Sequence, residues 1–365
     1  MYGAQLIGAM RRRDPSCEFF GAGGAAMQSA GCDIVVNAKD LAVVGISEIL
    51  SHLPKIYGLF RHLIRQSHER RPDLAIVIDS PAFNWRVARQ MKKRSIPVVY
   101  YVCPQFWAWR QGRVRLLRKY IDKALVIFPF EEKFYRDRGL NATFVGHPLA
   151  DISRPVISRT EYASKYKLDA TKHWITLMPG SRIKEVRMNL PAILVSAVKL
   201  GLGYEFLLPV APTLERTFLE PLIGAAPVHM VSEALPALAH SRAGIIASGT
   251  ATVEAAMMGT PFVMVYRVSP LTYFLGRSRV KIPYFAMVNL IAGRPVVPEL
   301  IQSDFTADKV VNGINQILSD GPVRDSMIAG LVDVKTMLRG PDGRIINPVD
   351  HAAAEILGFL PVIAN

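Results

Sequence analysis

Residues 243–261 read AGIIASGTATVEAAMMGTP, and this stretch changes from an apolar run to a run of small residues. The apolar run Gly244–Ala247 has the length of a strand and breaks at Ser248-Gly249. A small-residue helix is predicted over Thr250–Met258, where Gly259 closes it. A strand, a tight turn and a helix in this order are typical of a parallel α/β fold.

The turn in this stretch has the composition of a phosphate-binding turn. Small residues at Ser248, Gly249 and Thr250 would let phosphate oxygens approach the backbone N–H groups at the start of the helix. Glu254 is the only charged residue in 244–266, and it stands one residue too late for a capping box with Thr250. Its carboxylate could accept ribose hydroxyls. An ordinary buried strand–helix unit explains this segment alone equally well.

Strand-like runs alternate with helical stretches along the whole chain, which predicts an α/β architecture with parallel sheets. The predicted strands are Leu74–Ile78, Val98–Val102, Ala124–Phe128, Thr143–Val145, Trp174–Met178, Glu205–Pro209, Ala243–Ala247 and Phe262–Tyr266. A polar, strand-poor segment over 151–172 separates the two series. With 365 residues, the chain is expected to form two domains with a boundary between about 148 and 172.

The composition narrows the class of protein. Half of the residues are hydrophobic (50%), which is enough for packed cores. The formal charge of +14 suggests an anionic partner, such as a phosphorylated substrate or a bilayer surface. Nucleic acid is disfavoured, because the basic residues are scattered and no nucleic-acid-binding motif is present. The three cysteines have no metal-ligand spacing, and residues 1–13 lack the apolar core of a secretory signal, so we expect a soluble protein of a reducing cytoplasm.

Two further strand ends carry candidate functional groups. The run Trp174–Met178 leads into Pro179-Gly180-Ser181-Arg182, where Gly180 and Ser181 would allow close phosphate approach and Arg182 could bind a departing diphosphate. Asp79 follows the run Leu74–Ile78, so its carboxylate would lie where α/β proteins bind ligands. Asp79 could act as general base or orient a hydroxyl, or it could be a turn residue before Pro81.

Three segments are open to two interpretations each. Trp107, Trp109 and Arg110 could form a stacking wall for a sugar or nucleotide, or pack at a domain interface. Residues 41–64 have apolar residues at helical spacing with Pro54 as a kink, which fits an acyl-binding or bilayer-facing surface but more often a core-facing helix. Residues 289–300 are predicted to be a loop with exposed polar groups, including Asn289, that closes over a ligand or only turns the chain.

Several signatures are missing from the sequence. There is no Asp-x-Asp pair for a carboxylate-bound metal, and no Walker loop, GxGxxG fingerprint or GxSxG elbow, so no metal and no cofactor are predicted. The N-terminus is also unusual for a doubly wound sheet, which normally begins with a strand. Here residues 2–10 look helical and the first strand begins near Phe19. We therefore expect a start codon annotated too late or a true truncation.

Taken in order, seven motifs resemble those of the lipid-A-disaccharide synthase family. They are DLAVVGISEIL (40–50), IDSPAFN (78–84), YVCPQFWAWRQGR (101–113), FVGHPLAD (144–151), MPGSRIKEV (178–186), ASGTATVE (247–254) and VNLIAGRPVVPELIQ (288–302). The resemblance implies a GT-B fold, with two Rossmann-like domains and the active site in the cleft between them. Residues 1–155 would form the acceptor and membrane side, completed by 340–365, and residues 170–335 would bind the UDP-sugar.

The resemblance also implies a reaction. A UDP-2,3-diacylglucosamine donor would glycosylate the 6-hydroxyl of 2,3-diacylglucosamine 1-phosphate with inversion, and UDP would leave. The family carries no cofactor, works at the anionic inner face of the inner membrane as a peripheral cytoplasmic enzyme, and often forms homodimers. The roles that it implies for this chain's residues are a catalytic carboxylate (Asp79), stabilisation of the UDP charge (Arg182), a diphosphate cradle (Gly180, Ser181, Ser248, Gly249, Thr250), a ribose contact (Glu254), proximity to donor or acceptor (Asn289), and phosphate or interface contacts (Arg110, Arg113).

In one respect the chain departs from the family pattern. The family begins with a strand and a GEASGD loop ahead of the helix that starts this sequence, so we expect this N-terminal domain to lack a central strand and to lose stability and activity. Two alternatives stay open. One is another UDP-sugar GT-B enzyme, such as a 2-epimerase or a peptidoglycan-type glycosyltransferase. The other is a truncated, inactive module that binds a nucleotide-sugar or a membrane.

Overall fold

The computed structural model describes residues 2–41, 46–109, 111–277, 280, 282–339 and 347–360. They divide into two compact units: a first unit up to Pro148 together with the chain from Leu338 onward, and a second unit over Leu149–Met337. The strands of the described residues are β1 (Phe19–Gly23), β2 (Cys32–Asn37), β3 (Ala75–Ile78), β4 (Val98–Tyr101), β5 (Lys123–Val126), β6 (Ala142–Phe144), β7 (His173–Met178), β8 (Tyr204–Pro209), β9 (Val228–Val231), β10 (Ala243–Ala247), β11 (Phe262–Tyr266) and β12 (Glu299–Ile301).

Helices connect most of these strands. They are α1 (Tyr2–Arg13), α2 (Ala25–Ser29), α3 (Ala38–Leu41), α4 (Ile46–Arg70), α5 (Pro81–Lys92), α6 (Phe106–Trp109), α7 (Val114–Tyr120), α8 (Pro129–Arg136), α9 (Arg159–Tyr166), α10 (Ile183–Leu200), α11 (Arg216–Ile223), α12 (Ala234–His240), α13 (Thr250–Met258), α14 (Pro270–Arg277), α15 (Met287–Ala292), α16 (Ala307–Leu318), α17 (Pro322–Met337) and α18 (Pro348–Leu357). Within the described residues, no helix is both long and apolar enough to cross a bilayer.

The first unit contains a four-stranded parallel sheet in the order β3-β4-β5-β6. The central strand β4 is buried along its whole length, which explains its unbroken apolar sequence VVYY. Helix α18 belongs to this unit, where Glu355 pairs with Lys123 of β5 at 2.5 Å and Asp350 pairs with Arg12 of α1 at 2.8 Å.

Strands β1 and β2 form a separate two-stranded parallel sheet in the first unit. A cavity of about 560 Å³ lies between β1 and β3, and its lining includes residues 20–23 on one side and 75–78 on the other. The first turn of α1 and one face of α5 complete its walls. Among the described strands, none pairs with the cavity-facing edge of β1 or of β3.

The second unit contains a six-stranded parallel sheet in the order β12-β11-β10-β7-β8-β9. Strands β7 and β10 are direct neighbours, with Met178 opposite Ile246 at their carboxyl ends. The turns after these two strands therefore open side by side at one edge of the sheet. This is the edge at which parallel α/β sheets bind ligands.

The structure confirms the α/β class and the parallel sheets, and each predicted strand is present close to its predicted bounds. Three strands were missed: β2, β9 and β12. The prediction of a plain loop over 289–300 is wrong at both ends, because α15 covers its first residues and β12 its last. Strand β12 has only three residues and lies at the sheet edge, so its pairing with β11 determines it more than its own sequence pattern.

Candidate active site

The turn after β10 exposes an uncapped helix start. Gly249 has φ +142° and ψ −163°, a conformation open essentially to glycine alone, and no side chain caps the helix that begins at Thr250. Ser248 stabilises the turn by donating a hydrogen bond from Oγ to the carbonyl of Phe285 at 2.8 Å. The first N–H groups of α13 therefore meet no capping side chain and can receive an anion.

Glu254 lies one turn inside this helix and is half-buried. Burial raises the pKa of its carboxyl. Across the described part of the chain, its carboxylate has no hydrogen-bond or ion-pair partner. A partly buried acceptor without a partner is costly unless something else satisfies it, and two adjacent hydroxyls of a ligand would do so.

The turn after β7 holds an internal anion, the carboxylate of Glu185. The N–H groups of Ser181 and Arg182 donate to Glu185 Oε2 at 3.1 and 3.3 Å, and Arg182 Nη1 contacts Glu185 Oε1 at 2.6 Å. Gly180 is required here, because it has φ +123° and an added Cβ would lie 2.7 Å from Glu185 Oε2. Arg182 itself is 81% exposed, which leaves its remaining N–H groups accessible to a ligand.

The sequence interpretation did not single out Glu185. The signal was present, because Glu185 stands three residues after Arg182, at the position that reaches back to the start of a helix in a capping box. The sequence interpretation treats the N–H groups of this turn as free to bind phosphate. In the structure, the Ser181 and Arg182 N–H groups of this turn already donate to the Glu185 carboxylate.

Asn289 is not exposed, so that part of its prediction is wrong. Its side chain is 1% exposed, and its Oδ1 accepts from the N–H groups of Val296 and Val297 at 2.7 and 2.9 Å. Its Nδ2 donates to the carbonyl of Val297 at 2.9 Å and to Glu299 Oε1 at 2.8 Å. The fold turns this segment inward because β12 must pair with β11.

Through Glu299, Asn289 is linked to the turn after β10. The carboxylate of Glu299 accepts from the N–H groups of Phe285 and Ala286 at 2.9 Å each. The carbonyl of Phe285 is the group to which Ser248 donates. Asn289 and Glu299 therefore support the position of Ser248, a role that the sequence did not reveal for either.

In the first unit, Asp79 stands at a strained turn. Asp79 has φ +49° and Ser80 has φ +40°, so two consecutive non-glycine residues are left-handed, at a cost of about 1–3 kcal/mol each. The Asp79 carboxylate is exposed and has no hydrogen-bond or ion-pair partner in the residues that the structure covers. Two buried side chains hold its backbone: Asn84 Nδ2 donates to the Asp79 carbonyl at 2.6 Å, and the Tyr100 hydroxyl donates to the same oxygen at 2.5 Å.

An apolar cavity of about 700 Å³ lies beside this turn. Its walls include Ile56, Tyr57 and Phe60 of α4, and Phe83 of α5. Helix α4 continues through Pro54, and its later residues Leu63 and Ile64 are buried in the core of the unit. The helix is thus core-facing near its end, whereas Tyr57 is 61% exposed.

The predicted aromatic wall is only partly present. Trp107 is 5% exposed, packs edge-on against Phe130, and donates from Nε1 to Glu131 Oε1 at 2.8 Å, so it is a core residue and cannot stack on a ligand. Trp109 is half-exposed, and Arg110 lies outside the described residues. Arg113 is exposed, and no described residue forms a hydrogen bond or ion pair with it.

The fold and the paired turns of the second unit define a class: an α/β glycosyltransferase-like protein of GT-B type. Solved structures agree on the fold. The glycotransferase of kitacinnamycin aligns with TM-score 0.66 and 15% identity over 99% of this chain and 97% of its own. A UDP-GlcNAc 2-epimerase from Neisseria meningitidis aligns with TM-score 0.57 and 12% identity over 94% of this chain and 99% of its own. At these identities they show the fold alone.

Sequence comparisons identify the family. The model described as Lipid-A-disaccharide synthetase matches residues 1–328. The lipid-A-disaccharide synthase of Koribacter versatilis is 52% identical over 93% of this chain and 90% of the relative, and that of Acidobacterium capsulatum is 46% identical over 98% and 93%. The chain belongs to the lipid-A-disaccharide synthase family. It is therefore a glycosyltransferase of lipid A biosynthesis, as its motifs predicted.

Proposed function

We propose that this chain transfers 2,3-diacylglucosamine from its UDP conjugate to the 6-hydroxyl of 2,3-diacylglucosamine 1-phosphate. The oxygen of that hydroxyl forms a bond to the anomeric carbon as the bond from this carbon to UDP breaks with its electron pair, so the carbon inverts. The hydroxyl proton passes to the Asp79 carboxylate, which can take it only as the hydroxyl becomes acidic in the transition state. Donor binding would be the task of the second unit.

The observation that carries this proposal is the half-buried carboxylate of Glu254, which has no partner within the described ranges, beside the uncapped start of α13. The helix start supplies N–H donors for a diphosphate, and the carboxylate supplies an acceptor for ribose hydroxyls one turn away. In the turn after the neighbouring strand β7, Arg182 would stabilise the charge of the leaving UDP. We assign the supporting roles in the diphosphate cradle to Gly180, Ser181, Ser248, Gly249 and Thr250, and the backbone geometry of the turn after β10 supports this assignment.

The function is tested by the choice of donor. We expect UDP release with UDP-2,3-diacylglucosamine and the phosphorylated acceptor, and none with UDP-N-acetylglucosamine. UDP release with the latter donor would favour the alternative of a 2-epimerase or a peptidoglycan-type glycosyltransferase. The assay is run on this chain and on a form extended by any residues its gene encodes upstream, and absence of turnover in both would support a binding module without activity.

Glu254→Gln is expected to weaken UDP binding about 10-fold while leaving the melting temperature unchanged or slightly higher. The amide keeps the size of the side chain but replaces one acceptor oxygen with a donor, and it removes a half-buried charge. Calorimetric titration with UDP measures the affinity. Glu220→Gln, which changes an exposed carboxylate of the same unit, is the control. An unchanged UDP affinity in Glu254→Gln would refute the ribose contact.

We further propose that the cavity beside Asp79 receives an acyl chain and that the neighbouring surface of α4 contacts an anionic bilayer. The support is apolar lining, the exposed ring of Tyr57, and the basic side chains of Lys55, Arg61 and Arg65 on the same helix. We expect co-sedimentation with phosphatidylglycerol vesicles, reduced in Tyr57→Ser but not in Tyr273→Ser. Equal retention of both variants on the vesicles would contradict this surface.

A homodimer, also a family expectation, is tested by sedimentation equilibrium.

A further inference from the structure

The Asp79 turn (residues 78–81) needs support that its own sequence does not provide. Left-handed backbone at both Asp79 and Ser80 persists only where neighbouring groups over-determine it. Neither residue is glycine, and aspartate accepts left-handed backbone only modestly better than other residues, so the sequence of the turn does little to stabilise it. Backbone pairing supplies part of the support, since the Asp79 N–H donates to the Tyr101 carbonyl at 3.2 Å, and side chains packed against the turn supply the rest.

Asn84 and Tyr100 provide that support from two different elements. Asn84, on the first turns of α5, donates from Nδ2 to the carbonyl of Ile78 at 2.8 Å and to that of Asp79 at 2.6 Å. Tyr100, on the neighbouring strand β4, donates its hydroxyl to the Asp79 carbonyl at 2.5 Å. The Tyr100 side chain is fully buried, and burial raises the pKa of its hydroxyl, so the group remains a neutral donor over the working pH range.

We infer that Asn84 and Tyr100 are positioning residues for Asp79. Two of their three hydrogen bonds hold the peptide plane after Asp79 and the third holds the plane before it, and together they set the direction in which the side chain leaves the end of β3. Because the carboxylate itself has no partner in the described residues, this backbone sets the range of directions that the side-chain rotamers can reach. The inference rests on the proposed role of Asp79 and adds the residues through which that role is maintained.

The chain offers a matched control on the next residue of the strand. Tyr101 is as deeply buried as Tyr100, but its hydroxyl has no hydrogen-bond partner among the residues that the structure describes. Successive side chains of a strand point to opposite faces of the sheet, so the Tyr101 side chain lies on the face opposite to that of Tyr100, and only the Tyr101 carbonyl contacts Asp79, accepting from its N–H at 3.2 Å. Each of the variants Tyr100→Phe and Tyr101→Phe deletes one buried hydroxyl from β4. Only the first deletes a bond to Asp79.

The test is steady-state kinetics of both variants, made in whichever of the two forms of the chain, as given or extended upstream, shows glycosyltransferase activity. We expect Tyr100→Phe to lower kcat by about 10-fold or more with KM for the donor nearly unchanged, because a small misplacement of a reacting group is costly. Asn84→Ala, which deletes the other donor, should act in the same way, and Tyr101→Phe should keep the wild-type kcat. A wild-type kcat in Tyr100→Phe and Asn84→Ala, or an equal loss in Tyr101→Phe, overturns the inference.

A second readout separates this inference from the proposed function. If Asp79→Asn turns over at the wild-type rate, the proposed role of Asp79 fails, whatever the tyrosine variants do. Hydrogen exchange then still reports on the turn itself, through the amides of Phe83 and Asn84 that donate to the Ser80 carbonyl. These amides should exchange faster in Tyr100→Phe than in Tyr101→Phe. Identical exchange would show that the hydroxyl does not hold the turn.

Discussion

Asp79→Asn is expected to lower kcat by roughly 10²- to 10⁴-fold, the contribution typical of a general base. The amide has the shape of the carboxylate but cannot take the proton of the attacking hydroxyl. The substitution should not disturb the fold, because the Asp79 side chain is exposed and asparagine accepts left-handed backbone at least as readily as aspartate. Loss of activity would therefore reflect chemistry.

The measurement is UDP release under saturating donor and acceptor, together with the melting temperature. Asp73→Asn is the matched control, since Asp73 is also exposed and stands just before the same strand that Asp79 follows. We expect the control to keep its kcat and both variants to keep the wild-type melting temperature. A variant at Asp79 that turns over at the wild-type rate would exclude this carboxylate as the base.

The second large effect concerns the pH dependence of stability, to which two buried groups of the first unit contribute with opposite signs. Glu131 is fully buried, and burial raises its pKa from 4.5 to about 7 against the effect of hydrogen bonds from Trp107 and the Phe128 backbone. His147 is also buried, and burial lowers its pKa from 6.5 to about 4. Each difference corresponds to a free energy of unfolding on the order of 3 kcal/mol.

The direction of each contribution follows from which state binds the proton. For Glu131 the folded state holds the proton more tightly, so its contribution is complete below pH 4.5 and is lost as the pH rises to about 7. For His147 the unfolded state holds it more tightly, so its contribution is complete above pH 6.5 and is lost as the pH falls to about 4. Between about pH 4.5 and pH 6.5, the two groups therefore change the free energy of unfolding in opposite directions as the pH rises.

Replacing one of the two groups should therefore reveal how the other changes the free energy of unfolding with pH. Glu131→Gln is destabilising because its amide places a donor against Trp107 Nε1, but its deficit relative to wild type should shrink by about 3 kcal/mol between pH 4.5 and pH 7. His147→Gln should show the reverse trend, with a deficit that grows as the pH rises. Urea unfolding of all three proteins across this range gives the differences. A deficit independent of pH in both variants would contradict the assignment.

The sequence predicted the two turns of the second unit well, because their positions depend on local patterns. Apolar runs of strand length ending in Gly-Ser and Ser-Gly steps determine where the chain turns, and parallel pairing brings the strand ends to one edge. What it could not predict were the roles of the Glu131 and Glu299 carboxylates, whereas the role of Glu185 is indicated by its capping-box spacing from Arg182. Each accepts hydrogen bonds from backbone N–H groups. For Glu131 and Glu299, side chains distant in the sequence complete the set, and only the folded chain assembles it.

Asn289 and Trp107 show the same limit from the opposite direction. A polar residue in a segment rich in glycine and proline suggested exposure, and a tryptophan among arginines suggested a ligand surface. Both are buried. The Asn289 amide forms hydrogen bonds with the backbone of the segment before β12, and the Trp107 ring donates a hydrogen bond to the Glu131 carboxylate. Hydrogen-bonding partners, rather than the polarity of neighbouring residues, decide the exposure of such side chains.

The edges of β1 and β3 along the 560 Å³ cavity have a consequence for the behaviour of the molecule in concentrated solution. No described strand pairs with either edge, and an unpaired strand edge is a template on which another polypeptide can add itself as a strand. Elsewhere, proteins discourage such addition with charge, proline or a covering helix. The lining of this gap is mostly apolar and rich in glycine and alanine, so we expect this half of the chain to associate with other polypeptides at these edges as its concentration rises.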